Sequence, residues 1–445
     1  MPPPIALLLC ILLIFYMLRI DFKHKSNVSS ALWIPLIWVM IVGSRPIALW
    51  LSPEPVTATQ DDYMSGNPID RTFLIFLIVI GVFILSRRKV NWLQVYKNNS
   101  LIIIFIMYSV LSIMWSDFPG VAFKRWIKEI GTIIMILVVL TESNQVQAVK
   151  TLIRRCAYVL IPLSVVCIKY YPNIGRSFTP WGEAGFVGVT TSKNMLGVLC
   201  LVCGLYFFWN FVTIWRIKNA DKIEFYKDIL FFIMICWLLI VSNSLTSLIC
   251  LIIGMCVFTT LSIIRRNVRY LGILIFHIVI IVAAIQLSVD MIGTFTTSMG
   301  RNMTFTDRTK LWEDVLEIGT NPLIGTGYES FWLGDRLTAI WAENWWQPNQ
   351  AHNGYLEIYL NLGLIGLFLL AGIIVFAYRK IRKMLLSDFD YGRFGISFMV
   401  IILAYNFTEA AFKIASIMWL IFLLIIVDIP LNSQSQIQKQ AKTMI

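Results

Sequence analysis

Gln350-Ala351-His352-Asn353-Gly354-Tyr355-Leu356-Glu357 joins the two kinds of sequence in this chain. Before it lies a polar stretch, residues 290–352, the one long non-apolar insert. After it an apolar run begins, 353–378. A run of that length can cross the roughly 30 Å hydrocarbon core of a bilayer. Similar runs recur at roughly 4–18, 31–51, 72–86, 99–116, 126–141, 153–170, 194–214, 228–243, 246–264, 270–289, 394–407 and 414–430. The expected fold is therefore all-α, a polytopic transmembrane helix bundle of about 12–13 spans. Residues 1–289 hold spans 1–10, 290–352 form the long loop, 353–430 hold spans 11–13, and 431–445 read as a disordered cytoplasmic tail.

Composition agrees. The 445 residues are 58% hydrophobic and 14% charged, where a soluble domain carries about a quarter charged residues. Net charge is +12. Most Lys and Arg sit in alternate short loops, such as Arg87/Arg88/Lys89/Lys97 and Arg379/Lys380/Arg382/Lys383. This is the positive-inside pattern and not a nucleic-acid footprint. It sets the C-terminus inside and the insert outside. The eight cysteines all fall in apolar segments, so no disulfide framework is expected. Cys200-x-x-Cys203 reads as two small apolar side chains on one helix face. The first apolar run lacks a basic n-region and a small-x-small cleavage site, so it reads as a retained span.

The informative cations lie outside the cytoplasmic loops. Arg45, Lys124, Arg125, Lys193 and Arg308 are among them. A cation beside or within a span costs a few kcal/mol unless it is paired or faces water. Asp117, Glu129, Glu183 and Glu409 are available to pair some of them. Inside the insert, Asp307 reads as the cap of a helix over about 307–318, stopped by Gly319, with Leu311, Val315 and Ile318 on its apolar face. Trp332, Trp341, Trp345 and Trp346 read as an interfacial belt or a stacking surface for sugar rings. Asp61-Asp62 reads as a solvated acidic turn. No His, Cys, Asp and Glu cluster has metal-ligand spacing, so the expected chemistry is metal-independent and needs no cofactor.

Several stretches resemble the bacterial superfamily of O-antigen ligases and O-antigen or exopolysaccharide polymerases. His352-Asn353, nine residues, then Gly363-Leu364-Ile365-Gly366 is similar to the family's His-Asn-x9-Gly-x-x-Gly signature. Asp307-Arg308-Thr309-x-x-Trp312 and Asn321-Pro322-Leu323-Ile324-Gly325-x-Gly327 resemble the helix and turn before it. Lys193-Asn194-Met195-Leu196-Gly197 is similar to its Lys-Asn-x-Leu-Gly motif. Ser44-Arg45-Pro46, Gly66-Asn67-Pro68-Ile69-Asp70-Arg71 and Trp115-Ser116-Asp117-Phe118-Pro119 look like the exopolysaccharide polymerase branch. There is one departure. Ligase-type members often carry Ser-Arg-Thr where this chain has Ser244-Leu245-Thr246, which tilts the reading towards polymerases.

The resemblance implies a multi-pass protein of the bacterial inner membrane with its active site on the periplasmic side. It implies transfer of an undecaprenyl-diphosphate-linked glycan to an acceptor hydroxyl, with the lipid bilayer, a chain-length regulator and a flippase as partners. Cations must stabilise the departing diphosphate, and a base must help the hydroxyl attack. His352 is the expected base. Arg308 and Lys193 are the expected diphosphate contacts, with Arg45, Lys124 and Arg125 behind them and Asn353 holding His352. Two alternatives remain open at this point: a ligase acting on a lipid A core, and an anion or bicarbonate transporter of the same superfamily.

Overall fold

The structure, a computed structural model, describes residues 1–23, 28–51, 66–178, 184–215, 222–263, 305–344, 346–413 and 415–430. The expected span 270–289, Asp61-Asp62, Glu183, Trp345, the 431–445 tail and His24 and His277 lie outside these. Helices dominate: α1 (Pro3–Lys23), α2 (Trp33–Val42), α3 (Ile47–Leu51), α4 (Pro68–Ser86), α5 (Trp92–Asn98) and α6 (Ser100–Leu111). They continue with α7 (Pro119–Leu140), α8 (Gln145–Tyr170), α9 (Lys193–Trp215), α10 (Lys222–Ser242) and α11 (Leu245–Ile263). The insert supplies α12 (Phe305–Glu317) and α13 (Gly334–Glu343), and α14 (Gly354–Ser387), α15 (Phe389–Tyr405) and α16 (Ile417–Ile426) close the described chain. Arg176–Phe178 and Ala184–Phe186 form one short antiparallel pair.

This is a polytopic all-α bundle, and among the described residues fewer helices are full-length spans than the expected segments there. Seven described helices are long and apolar enough to cross a membrane; α5 with α6, bent by 86°, make an eighth if counted together. The difference has physical causes. Helices occupy every other expected segment, but α16 has only 10 residues. α7 carries Lys124, Arg125, Lys128 and Glu129, and α15 carries Asp390 and Arg393.

Burial sorts the helices into centre and rim. α16 is apolar throughout and wholly buried, and α15 is buried from Tyr391 to Tyr405. A helix apolar on all sides belongs inside a bundle. α1 and α4 are mostly exposed along their apolar windows, as lipid-facing helices are. All eight cysteines are free, Cys200 and Cys203 fully buried among the core.

The insert is locked to the bundle by its own small core and two seams. Leu311 and Val315 are fully buried with Phe331, Leu337, Ile340, Ala351 and Leu360. α12 starts at Phe305, two residues before the expected cap, and Gly319 follows it at φ 71°. Trp332 belongs to this core, where its indole N–H donates to Glu357 at 3.0 Å. It serves neither a belt nor a stacking surface.

The first seam explains the Gly-x-x-Gly signature. Gly363 takes φ 64°, ψ −162° and breaks α14. The freed backbone groups must find partners. They find them in the Asn321–Gly327 turn. Leu364 N donates to Pro322 O at 2.9 Å and Ile365 N to Leu323 O at 3.1 Å. Thr326 N returns a bond to Leu360 O at 3.0 Å and Gly327 N to Asn361 O at 2.9 Å. A Cβ on Gly363 would lie 2.3 Å from the Leu323 backbone, and one on Gly325 2.5 Å from that of Asn361. Two motifs distant in sequence are thus the two halves of one contact.

The second seam uses Trp115-Ser116-Asp117-Phe118. Ser116 Oγ bonds Ser330 Oγ at 2.6 Å, Asp117 pairs with Arg336 at 2.6 Å, and Trp115 Nε1 reaches Ile324 O at 3.3 Å.

Candidate functional site

The site forms where the insert ends and α14 begins. Asn353 caps α14, its side chain accepting from Tyr355 N at 3.0 Å and Leu356 N at 3.1 Å. His352 stands one residue outside the helix at φ 50°, a left-handed conformation uncommon for residues with a Cβ. Trp312 Nε1 fixes the preceding carbonyl, Ala351 O, at 2.7 Å. The α12 face and the α14 cap therefore set the imidazole from both sides.

The imidazole's partner comes from a loop 57 positions further on. His352 Nδ1 lies 3.0 Å from Glu409 Oε2. Glu409 sits on the loop between α15 and α16. Asn406 folds that loop, its side-chain oxygen accepting from Ala411 N at 2.8 Å and Phe412 N at 2.9 Å. Asn406 O also accepts from Gly354 N at 2.9 Å, so the loop and the start of α14 are one unit.

Four more side chains converge on this carboxylate and its imidazole. Arg308, in the first turns of α12, reaches Glu409 Oε1 at 3.0 Å and also donates to Thr408 O. Asn194, second residue of α9, donates to the same Oε1 at 2.7 Å. Gln350 Nε2 lies 3.5 Å from His352 Nδ1, and Lys413 donates to the Gln350 side-chain oxygen. Trp346 tilts over the imidazole with ring centroids 5.7 Å apart.

Electrostatics fix the histidine's proton. Burial pushes the Glu409 carboxyl up, but the charges and hydrogen bonds of His352 and Arg308 outweigh it and hold it below its ordinary value. An ionised carboxylate has no hydrogen to give. The hydrogen of the 3.0 Å contact therefore belongs to Nδ1, so in the neutral ring the lone pair is on Nε2. Among the described residues none hydrogen-bonds Nε2. The cluster is a carboxylate-oriented imidazole beside a guanidinium, an arrangement able to take a proton and to hold negative charge.

The expected residues divide three ways. His352 and Arg308 meet on Glu409. Lys193 opens α9, exposed, next to Asn194. The others lie elsewhere. Arg45 is buried at 8% exposure and donates to Ile174 O at 2.5 Å and Thr190 O at 3.0 Å, with Trp50 beneath it. Arg125 donates to Glu329 O on the insert, and Lys124 is exposed on α7. Asn353 contacts helix backbone and not His352. From sequence alone Glu409 stands only as a pairing acid, and Asn194 only as a member of the Lys-Asn motif. The signal for Glu409 was present: an acid in a long apolar C-terminal region needs a partner or a task. Among the described residues no three His, Cys, Asp or Glu side chains gather as a metal set.

Residues 229–371 match the family described as O-antigen ligase. The chain is also 27% identical over 323 residues to the exopolysaccharide production protein ExoQ of Rhizobium meliloti (strain 1021), covering 69% of this chain and 71% of that one. Arg308, His352 and Asn353 fall inside the stretch similar to the O-antigen ligase family. Asn194 and Glu409 fall outside it, yet complete the same cluster.

Proposed function

We propose that this protein is a glycan polymerase that uses lipid-diphosphate-linked repeat units as donors, working on the periplasmic face of the bacterial inner membrane. The observation that carries the reading is Glu409 gripping both His352 and Arg308. Similarity to an exopolysaccharide production protein supports polymer synthesis.

The chemistry follows from the groups present. His352 Nε2 takes the proton of an acceptor hydroxyl as its oxygen attacks the anomeric carbon of the donor sugar. The bond from that carbon to the diphosphate oxygen breaks, and the lipid diphosphate leaves with the electron pair. Glu409 holds the imidazole in the required tautomer and offsets its charge once protonated. Arg308 and Lys193 stand at the ends of α12 and α9 to meet the growing negative charge. An arginine fork suits phosphate oxygens. The donor carries its own leaving group, so the reaction needs neither a nucleotide sugar nor a metal.

A ligase reading draws on the family description. Gene deletion followed by a gel of surface glycans separates the two. A single-repeat pattern is expected here; complete polymer left on its carrier lipid would assign a ligase.

A further inference from the structure

The turn into α9 delivers Asn194 to the cluster, and Arg45 holds that turn. Arg45 occupies the break between α2 and α3, over the ring of Trp50. A cation buried among spans is expensive and marks a task. Here the donors go to main-chain oxygens. The guanidinium reaches Ile174 O and Thr190 O, and the Arg45 backbone N–H donates to Val189 O at 3.0 Å. Val189 and Thr190 are fully buried. Thr190 passes the constraint along the chain. Its hydroxyl is within reach of Val187 O at 2.7 Å and Ser192 O at 2.9 Å. Ser192 Oγ then accepts from Met195 N at 3.2 Å, in the first turn of α9.

At the far end of this line Asn194 meets the carboxylate. Its amide donates to Glu409 Oε1 at 2.7 Å, beside Arg308 at 3.0 Å. The last torsion of a glutamate is soft, so an unheld carboxylate would turn away from a single partner. With Oε1 gripped from both α9 and α12, Oε2 stays on His352 Nδ1. An amide does this without adding charge. A second cation there would offset the negative charge that a protonated imidazole needs beside it.

We infer that Arg45 and Asn194 are positioning residues for proton transfer at His352. Arg45 fixes the turn, the turn places Asn194, and Asn194 orients Glu409. The inference rests on the glycan-transfer reading, and it gives Arg45 a task in transfer without any contact to the diphosphate.

The test uses the full-length protein in lipid nanodiscs, with repeat units extracted on their carrier lipid from a deletion strain. Rates are measured across pH on folded protein. Asn194→Asp keeps the shape and sets a second acid against Glu409. Two acids that close resist ionising together, and the imidazole beside them holds its proton more tightly. The acidic limb of kcat should move up by about one pH unit or more. Asn194→Ala should lower kcat about tenfold, as loss of a hydrogen bond to a charged group implies. Arg45→Lys should lower it too, because an ammonium lacks the planar fork that spans two carbonyls. Together they should cost no more than Asn194→Ala alone, since one acts through the other. Thr190→Val, which cuts the line one step below Arg45, replaces Arg45→Lys if that variant does not fold. The double variant decides if Asn194→Asp transfers nothing at any pH. An unmoved limb in Asn194→Asp, an unchanged kcat in Arg45→Lys or additive losses in the double variant would overturn the inference and leave the transfer reading standing. A wild-type protein that transfers nothing would remove the transfer reading and this inference with it.

Discussion

His352 Nδ1 and Glu409 Oε2 are 3.0 Å apart although the residues are 57 positions apart in sequence. The contact makes the last loop of the bundle part of the same centre as the insert. Glu409→Gln tests it. A glutamine keeps the shape but can present an N–H to Nδ1, which would move the imidazole hydrogen to Nε2. Transfer is expected to fall roughly 100- to 10,000-fold, the usual contribution of a positioned base. Folded yield should be retained, as checked by size exclusion beside the activity assay.

The pH dependence follows from the same carboxylate. Glu409 is held below its ordinary value of 4.5. A group depressed on folding adds stability above its unfolded value, and that stability is lost as pH falls through the folded value. The Tm advantage of wild type over Glu409→Gln should hold at neutral pH and shrink below about pH 4.5.

Arg308 is one of the charges opposing burial at Glu409. In Arg308→Gln, burial gains weight and the carboxyl's value rises. The acidic limb of the transfer rate profile should therefore move to higher pH. An unmoved limb, with transfer still measurable, would separate Glu409 from the proton chemistry.

Gly354 tests the joint between loop and helix. A Cβ there would lie 1.8 Å from Asn406 Oδ1, the oxygen that accepts from Ala411 and Phe412. Gly354→Ala should cost about 1–3 kcal/mol, the range for overpacking, read as a lowered Tm. Activity should fall further than stability alone explains, because Glu409 rides on the displaced loop.

Much of this was legible in the sequence, and the rest was not for definite reasons. Apolar runs gave the helices, because length and hydropathy are local properties. His352 stood out because a polar insert ends there. Arg45 reads from sequence as a secondary diphosphate contact, but its acceptors are carbonyls 129 and 145 positions away, and no local pattern announces them. Glu409 is legible as an acid in need of a partner, but its partners are not, since Arg308 lies 101 positions from it. The Gly363 and Asn321 motifs were read as separate markers. Only the folded chain shows each satisfying the backbone of the other.

The most direct measurement is complementation of a deletion strain with His352→Ala, expressed to the wild-type level, followed by a gel of surface glycans. Single repeat units, with the long ladder restored only by the wild-type gene, are the expected result. A full-length ladder from His352→Ala at wild-type yield would mean that this imidazole takes no proton in the reaction.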